Sequence, residues 1–200
     1  MAAPTREHIL AAAARLYAEH GFRGTTTRAI AESAGVNEVT LFRIFGSKET
    51  LIVEAMRTHS VPVNVRTLPD VPVDPERELT AWATQTREVL ASVSPMIRQA
   101  MSDAVQNPEM PRCVARGADA MFEAVHGYFD RLRAHGFVPD GAETHAAGGM
   151  LVSALFHDAM SREFMPQFFP PLAVAPATYA RLSLRSLGLD AAALERRRAS

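Results

Sequence analysis

The chain has 200 residues, of which 48% are hydrophobic and 22% are charged, and its formal net charge is −1. This composition is typical of a globular protein with a buried core, and the balanced charge excludes a non-specific binder of polyanions. The single cysteine, Cys113, excludes an internal disulfide and a zinc site built from cysteines, which favours a reducing compartment. We find no signal-peptide pattern and no apolar run that could span a bilayer, and we therefore predict a cytoplasmic protein without membrane contact.

The first sixty residues predict four short helices with clear start and stop signals. The first helix should end near Gly21 and the second near Gly35, because glycine readily adopts the left-handed conformation that ends a helix. Asn37 is placed to cap a third helix over residues 37–45, and Ser47 is placed to cap a fourth. Apolar residues recur at helical spacing in each of these segments.

The rest of the chain also has helical periodicity, after a proline-rich segment at residues 61–75. Such a segment is typically extended, so we predict a connector there, between a domain of residues 1–60 and a larger one of residues 76–200. No stretch alternates as a strand would, and the predicted fold class is all-α. The helices expected in the larger domain cover about 75–92, 95–106, 108–135, 141–163 and 177–187.

The third helix, "NEVTLFRIF", has two distinct faces. At 100° per residue, Leu41 and Phe45 share one face with Ile44 at its margin, and this face should pack on the neighbouring helices. The opposite face carries Glu38, Val39, Phe42 and Arg43, with Thr40 at its edge. Because a tight turn joins it to the second helix, the pattern predicts a helix-turn-helix whose third helix enters the major groove of DNA. Lys48, just beyond its end, would then face a phosphate.

Residues 9–51 resemble the N-terminal domain of TetR-family transcriptional regulators. The similarity lies in a GF-x-x-TT start to the second helix, an IA-x-x-AGV core and a T-L-aromatic-x-x-F-x-SKE-x-L signature. Beyond these residues only the arrangement of helices is similar. The resemblance implies an N-terminal three-helix helix-turn-helix domain and a larger C-terminal helical domain for effector binding and dimerisation. We further predict that the chain is not an enzyme and that it needs no cofactor or metal.

The resemblance further implies which residues contact DNA. Thr26, Thr27, Thr40 and Lys48 would contact backbone phosphates, and Arg28, Glu38, Val39 and Arg43 would lie close to bases. The full predicted DNA-binding set is Thr26, Thr27, Arg28, Asn37, Glu38, Val39, Thr40, Phe42, Arg43 and Lys48.

Three positions in this region differ from the family's usual residues. Asn37 replaces a serine, which is neutral for a helix cap. Phe42 replaces a tyrosine and so lacks a hydroxyl for a phosphate; it could pack internally or contact a thymine methyl group. Ile44 stands where histidine or tyrosine is frequent. Glu38 is ambiguous, because it could accept a hydrogen bond from a cytosine amino group or repel a phosphate.

A dimer face is predicted on the helix of residues 141–163, which is rich in small residues. Small side chains let a second helix approach closely, and the family implies a two-fold four-helix interface that includes the last helix. A buried central helix would use small residues equally well, and this alternative stays open here. The predicted dimer residues are Ala147, Met150, Leu151, Ala154, Leu155 and Leu182.

An effector cavity is predicted in the larger domain from its methionine and aromatic residues, since methionine-rich walls adapt to varied apolar ligands. The same pattern is also typical of a plain hydrophobic core. The candidate effector-binding residues are Trp82, Gln85, Thr86, Met96, Met101, Met121, Phe122, His126, Phe129, Phe156 and His157.

These observations predict a ligand-responsive regulator, most simply a repressor that binds operator DNA as a homodimer and is released by a small, largely apolar effector. One alternative is a sensor module with weak or lost DNA binding, because the N-terminal charge is near neutral. A more distant alternative is a metal-dependent hydrolase, suggested by His126, His145 and the pair His157-Asp158. Their spacing does not place ligands together on one helix, and we predict no metal site.

Overall fold

The structure is a computed structural model that describes residues 6–59, 67–105 and 109–190, with side chains in the last range from residue 117 onward. These residues form helices and no strands, which confirms the all-α fold class. The helices are α1 (Arg6–Gly24), α2 (Thr27–Ala34), α3 (Glu38–Phe45), α4 (Lys48–His59), α5 (Pro75–Asp103), α6 (Glu109–Ala134), α7 (Thr144–Ser161) and α8 (Ala175–Ser186), with a 3-10 turn at Pro166–Phe168 before α8.

The chain divides into two compact units that do not follow chain order. The first unit comprises Met1–Pro62 with Val93–Gly117, and the second comprises Val63–Ser92 with Ala118–Ser200. Helix α5 therefore contributes its first part to the second unit and its last part to the first. The sequence placed a boundary near residue 60, but nothing in it indicated that residues 93–117 group with the N-terminal helices. The division into DNA-binding and effector domains stays a prediction.

The N-terminal helices α1 to α4 enclose a small hydrophobic core. Leu41 and Phe45 on α3 pack into it together with Ile9 and Ile30, as the two-faced pattern of the third helix predicted. Leu41 is 1% exposed, so this face is fully used in packing. Burial of large aliphatic side chains of this kind stabilises each of them by about 1.5–3 kcal/mol. The inner face of α3 therefore fixes its orientation.

Short polar caps set the ends of these helices. The Thr26 hydroxyl accepts a hydrogen bond from the Ala29 N–H at 3.1 Å, and the Asn37 side chain accepts one from the Val39 N–H at 2.9 Å. The Ser47 hydroxyl accepts one from the Thr50 N–H at 3.1 Å. Each cap satisfies an N–H that has no partner inside its helix. The caps predicted at Asn37 and Ser47 are confirmed.

Helix α1 has a kink at Gly21 and continues for one more turn to Gly24. The φ of Gly21 is 68°, a region that favours glycine, and a Cβ there would lie 2.3 Å from Gln99 Nε2. The backbone conformation therefore favours glycine, and a larger residue would also displace the end of the Gln99 side chain. The sequence located this point correctly as the end of the long regular helix, but it gave no sign of the extra turn.

The predicted break between residues 92 and 95 is wrong, because α5 is one helix with Pro95 inside it. A proline inside a helix removes one hydrogen bond and costs about 3 kcal/mol. Val93, Met96 and Ile97 next to it are all buried, so their packing offsets that cost. The last two helices differ less: α7 begins at Thr144 rather than residue 141, and α8 begins at Ala175 rather than residue 177.

Candidate nucleic-acid interface

The outer face of α3 carries the side chains predicted to meet base edges. Val39 is 71% exposed and Phe42 is 48% exposed, although both are apolar. Arg43 is also exposed, one turn after Val39, and Glu38 is half-buried at the first position of the helix. An exposed valine and phenylalanine are unfavourable in water, but they suit contact with thymine methyl groups. The face combines apolar surface, a cation and an acceptor.

Glu38 is held in place from the neighbouring helix. The hydroxyl of Thr27, the first residue of α2, donates a hydrogen bond to Glu38 Oε1 at 2.5 Å. This contact joins the start of α2 to the start of α3. Thr27 had been expected at a phosphate, and its hydroxyl is instead engaged with a carboxylate.

Arg28 is paired along α2 with Glu32, a residue outside the predicted DNA-binding set. Its Nε lies 3.0 Å from Glu32 Oε1, and the two side chains are 81% and 67% exposed. The hydrogen bond with Glu32, its charge and the nearby charge of Glu38 raise the pKa of Arg28. The spacing of four residues between Arg28 and Glu32 was the signal that could have identified the pair.

Lys48, the first residue of α4, is anchored against the end of α1. Its Nζ donates a hydrogen bond to the Phe22 carbonyl oxygen at 2.8 Å and lies 4.3 Å from the centroid of the Phe22 ring. Phe22 in turn donates its N–H to Asp103 Oδ2 at 3.0 Å. An ammonium group has three donors, so two remain for a phosphate. Phe22 belongs to the GF motif noted above, and its local sequence gave no sign of these contacts.

The remaining predicted DNA contacts are partly used within the chain. The side chains of Thr26 and Asn37 serve as helix caps, as described above. Thr40 is half-buried in the first turn of α3, and its N–H donates to the Asn37 carbonyl oxygen at 2.8 Å. Nine of the ten predicted DNA-binding residues therefore lie on α2, on α3, in the turn between them or at the start of α4, and Thr26 directly precedes α2 as its cap. Their roles stay predictions.

The candidate effector residues differ in burial and belong to both units. Met96 and Met101 belong to the first unit, and Met101 is exposed. The other nine belong to the second unit. Fully buried among them are Trp82, Thr86, Met121 and Phe129. Half-buried are Gln85, Phe122, His126 and Phe156, and His157 is exposed.

One cavity in the second unit lies beside the start of α5. Its volume is about 500 Å³, within the range of small-molecule sites, and Trp82 is the only predicted effector residue that lines it. Its lining also includes Leu68, Pro69, Arg77 and Glu78. Among the described residues, Trp82 Nε1 and Thr86 Oγ1 are buried without a hydrogen-bond partner.

The predicted dimer residues lie on different faces of α7 and α8. Buried within the single chain are Ala147, Leu151 and Leu155. The Ala147 carbonyl oxygen also accepts a hydrogen bond from the Ser183 hydroxyl of α8 at 3.0 Å. These three residues hold α7 inside the chain, as the alternative of a central helix anticipated. Exposed or half-buried are Met150, Ala154 and Leu182.

The histidines and Asp158 that suggested a metal site have other partners. The His126 and His145 rings lie 4.2 Å apart, and His126 Nε2 lies 3.1 Å from the His145 carbonyl oxygen. Asp158 is buried and accepts hydrogen bonds from Arg87, Arg162 and Tyr179. No group of three potential ligands gathers within the described parts of the chain. In the same residues, no helix combines the length and apolarity needed to cross a bilayer.

Opposing influences act on the pKa of Asp158. Burial raises it, but hydrogen bonds from Arg162, Arg87 and Tyr179 together outweigh burial and lower it below its ordinary value. The carboxylate is therefore charged and already neutralised by two guanidinium groups. Such an aspartate is unsuited to bind a cation or to act as a base.

Comparison with known proteins places the N-terminal domain. Residues 9–55 match the family model for bacterial regulatory proteins of the tetR family. An HTH-type transcriptional regulator of Bacillus subtilis, YvkB, is 46% identical over 57 residues, which are 28% of this chain and 30% of that protein. The repressor KstR2 of Rhodococcus jostii is 44% identical over 52 residues, or 26% of each protein. The matched part thus spans less than a third of these relatives, and they are named as regulators rather than enzymes.

Solved structures match over almost the whole chain. A TetR-family regulator from Mesorhizobium loti has a TM-score of 0.76 and 22% identity, covering 92% of this chain and 98% of that one. FadR of Bacillus subtilis, solved with stearoyl-CoA, has a TM-score of 0.67 and 16% identity, covering 90% and 97%. At such identities the likeness shows the fold. The N-terminal domain of this chain is that of the TetR family of bacterial regulatory proteins, and the whole chain has the fold of that family's regulators.

Proposed function

We propose that this chain is a transcriptional regulator that binds operator DNA through α3 and responds to a small effector. The main support for the proposal is that α3 has one face buried in the core and an opposite face exposed to solvent. Leu41 and Phe45 are buried, while Val39, Phe42 and Arg43 face solvent. Exposed apolar side chains that lie together with charged ones on one helix face are typical of a surface that contacts a partner.

The dimensions of α3 suit the major groove. Its eight residues give α3 a length of about 12 Å. A helix with its side chains is about 10–12 Å in diameter, and the major groove, which is about 12 Å wide, admits it. Glu38 and Val39 at its N-terminal end would lie closest to base edges, as in other helix-turn-helix proteins. Lys48, held by Phe22, would bind a phosphate with its remaining donors. Contacts to phosphates position such a protein, and contacts to bases give it specificity.

Two substitutions test this division of roles on DNA selected from a random pool. Lys48→Ala should weaken binding to every sequence about equally and reduce the salt slope by about 1. Arg43→Ala should relax preference at one base pair, worth about 1–3 kcal/mol. Arg57→Ala, an exposed arginine in the last turn of α4, serves as the control and should change neither.

The outcomes of that experiment separate the proposal from its rival. Identical behaviour of the Lys48 and Arg43 variants would contradict the assigned roles. No binding by the unchanged protein at low salt, together with tight ligand binding, would favour the alternative of a sensor module without DNA function. That alternative fits the exposed Ile44, which adds no polar contact to α3.

We propose that the chain acts as a homodimer. One helix of eight residues reads only a few base pairs, and dimers that bind two half-sites are the usual solution. Met150 and Leu182 are exposed apolar residues on α7 and α8, and Ala154 is small enough for a close helix approach. Selected DNA should therefore contain an inverted repeat whose half-sites lie about one helical turn apart or a multiple of it.

We propose that the effector is small and largely apolar, and that its binding releases DNA, which makes the protein a repressor. The cavity beside Trp82 has the size of a ligand site, and Trp82 Nε1, which is buried without a hydrogen-bond partner, would suit a ligand with an acceptor group. FadR, with the same fold, binds stearoyl-CoA. Trp82 is the only tryptophan of the chain, so a change in its emission would report ligand entry directly.

A further inference from the structure

The hydroxyl of Thr27 has a single proton, and the structure commits it to Glu38. A hydroxyl can donate one hydrogen bond and accept two. Thr27 Oγ1 donates to Glu38 Oε1 at 2.5 Å, the short distance typical of a hydroxyl on a charged acceptor. A DNA phosphate offers only acceptor oxygens, so Thr27 cannot donate to it while this bond persists. The two roles exclude each other.

The same bond orients Glu38 at the N-terminal end of α3. It fixes Oε1, and Oε2 has no hydrogen bond to another described residue. Glu38 directly precedes Val39, which is exposed on the outer face of α3. In helix-turn-helix proteins, this end of the recognition helix contacts base edges. Of the four bases, cytosine presents an amino donor without a neighbouring acceptor in the major groove, and it is the base that a carboxylate accepts from.

The charge of Glu38 close to DNA needs compensation, and the start of α2 supplies it. Arg28 is near enough for the charge of Glu38 to contribute to its raised pKa. The positive end of the α3 dipole also lies at Glu38, which stabilises a carboxylate there. Both positive charges lie on the side from which the Glu38 carboxylate would approach the duplex, and they reduce its repulsion by the phosphates.

We propose that Glu38 reads a cytosine through its amino group, and that Thr27 is a positioning residue that aims this carboxylate rather than a phosphate contact. This inference rests on the proposed DNA-binding function. Thr27 acts only through Glu38, so its substitution should alter base preference and not general affinity for DNA. Val39, next in the chain, would contact the neighbouring base pair.

The experiment measures binding of the full chain to its selected duplex, to duplexes with each base pair exchanged in turn, and to a random duplex of equal length. Glu38→Ala should abolish a preference for cytosine of about 5- to 150-fold at one position. Glu38→Gln should move that preference towards adenine, the base that an amide pairs with. Thr27→Val, which keeps the shape and removes the hydroxyl, should lower the cytosine preference about fivefold or more and leave the random duplex unaffected.

Two further variants separate positioning from a structural effect. In the Glu38→Ala background, Thr27→Val should have no additional effect on base preference, because its target is gone. Thr58→Val removes a hydroxyl that bonds the Glu54 carbonyl oxygen on α4, and it should leave all duplexes unaffected. Thermal unfolding of each variant, followed by circular dichroism, verifies that the helices are intact.

The possible outcomes distinguish the inference from a phosphate contact by Thr27 and from a failure of the proposed function. Equal weakening of all duplexes by Thr27→Val would show a phosphate contact and overturn the inference. A base preference that does not depend on Glu38 would also overturn it, while leaving the proposed function intact. No binding of any duplex by the unchanged protein at low salt would overturn the proposed function and this inference together.

Discussion

Charged side chains are used in opposite ways by the α2–α3 region and by the cluster around Asp158. On α2, the side chains of Arg28 and Glu32 form a pair that is 81% and 67% exposed. In the second unit, the Asp158 side chain is 0% exposed, and Arg87 and Arg162 both contact it. The first pair lies where water screens it and a partner can reach it. The second is enclosed, and no partner can reach it.

This difference in burial indicates that the charged side chains of the two regions have different roles. An exposed ion pair contributes little to folding, so its residues are free to serve recognition. A buried carboxylate must keep its partners, because a charge left unpaired in the interior is costly. We therefore expect substitutions of the exposed charged residues on α2 and α3 to change binding with little change in stability. Substitutions in the Asp158 cluster should do the reverse.

The largest expected effect is that of Asp158→Asn on stability. The amide keeps the shape and one acceptor oxygen. It removes the negative charge to which Arg87, Arg162 and Tyr179 donate hydrogen bonds. Breaking a buried ion pair costs about 3–5 kcal/mol, and we expect the lower end of this range because the amide still accepts a hydrogen bond. Urea denaturation followed by circular dichroism would measure the loss.

Asp130→Asn provides the matched control for that measurement. Asp130 pairs with Arg133 on the surface of α6, where the aspartate is largely exposed. Loss of this ion pair should lower the free energy of unfolding by no more than about 1 kcal/mol. Equal destabilisation by the two substitutions would contradict the contrast between buried and exposed charges.

The N-terminal domain could be predicted closely because its signals are local. Caps at Asn37 and Ser47 and a turn at Gly35 mark the helix ends within a few residues, and Leu41 and Phe45 mark the inner face. Each of these signals acts through neighbouring backbone or through a face of one helix. The choice of a recognition face on α3 followed from the same spacing.

Partners that are distant in sequence could not be predicted in this way. Thr27 meets Glu38 across a turn, and Phe22 meets Asp103 across 81 positions. The role expected for Thr27 came from the family and not from its own neighbours. The sequence also did not reveal that Asp158 joins Arg87 from another helix, so its pairing with His157 in the sequence suggested a metal site instead.

The continuous α5 shows a further limit of local signals. Pro95 is a strong helix breaker by itself, and the predicted break lies directly before it. The helix persists because buried residues on both sides of the proline stay packed. Tertiary packing of this kind outweighs local preference, and no window of sequence reports it.

The pH dependence of stability sharpens the comparison for the buried cluster. The pKa of Asp158 is lowered in the folded chain, so its contribution is fully present above the unfolded pKa of about 3.9 and is lost as pH falls through the lower folded value. The protein should lose this contribution at acid pH, and Asp158→Asn should not. Urea midpoints measured from pH 7 downwards for both proteins should therefore converge at the acid end.

Other carboxylates do not obscure that test. The pKa of Glu49 is also lowered, by a hydrogen bond from its own backbone N–H and by one from Ser47 at the start of α4. Glu49 is present in both proteins, so its contribution to the pH dependence cancels in the comparison. Parallel curves for the two proteins at acid pH would show that Asp158 is not the group responsible.

The smallest expected effect is that of Glu32→Gln, which tests the exposed ion pair on α2. Glu32 and Arg28 are both exposed, so removing the charge of Glu32 should leave the urea midpoint unchanged within error. The guanidinium of Arg28 then loses its carboxylate and becomes available to a phosphate or a base. Affinity for DNA should rise about two- to fivefold and the salt slope should steepen, because a negative charge beside the duplex is removed and the charge of Arg28 is no longer neutralised by Glu32.

Glu19→Gln supplies the matched control for that variant. Glu19 pairs with Arg15 at the same spacing on α1, where both side chains are also exposed. Since that pair is not on α2 or α3, its substitution should change neither the urea midpoint nor the salt slope. A loss of stability on Glu32→Gln, with DNA affinity unchanged, would mean that the α2 pair serves folding. In that case the exposed pair on α2 and the buried Asp158 cluster would both serve folding, and the proposed difference between exposed and buried charges would be wrong.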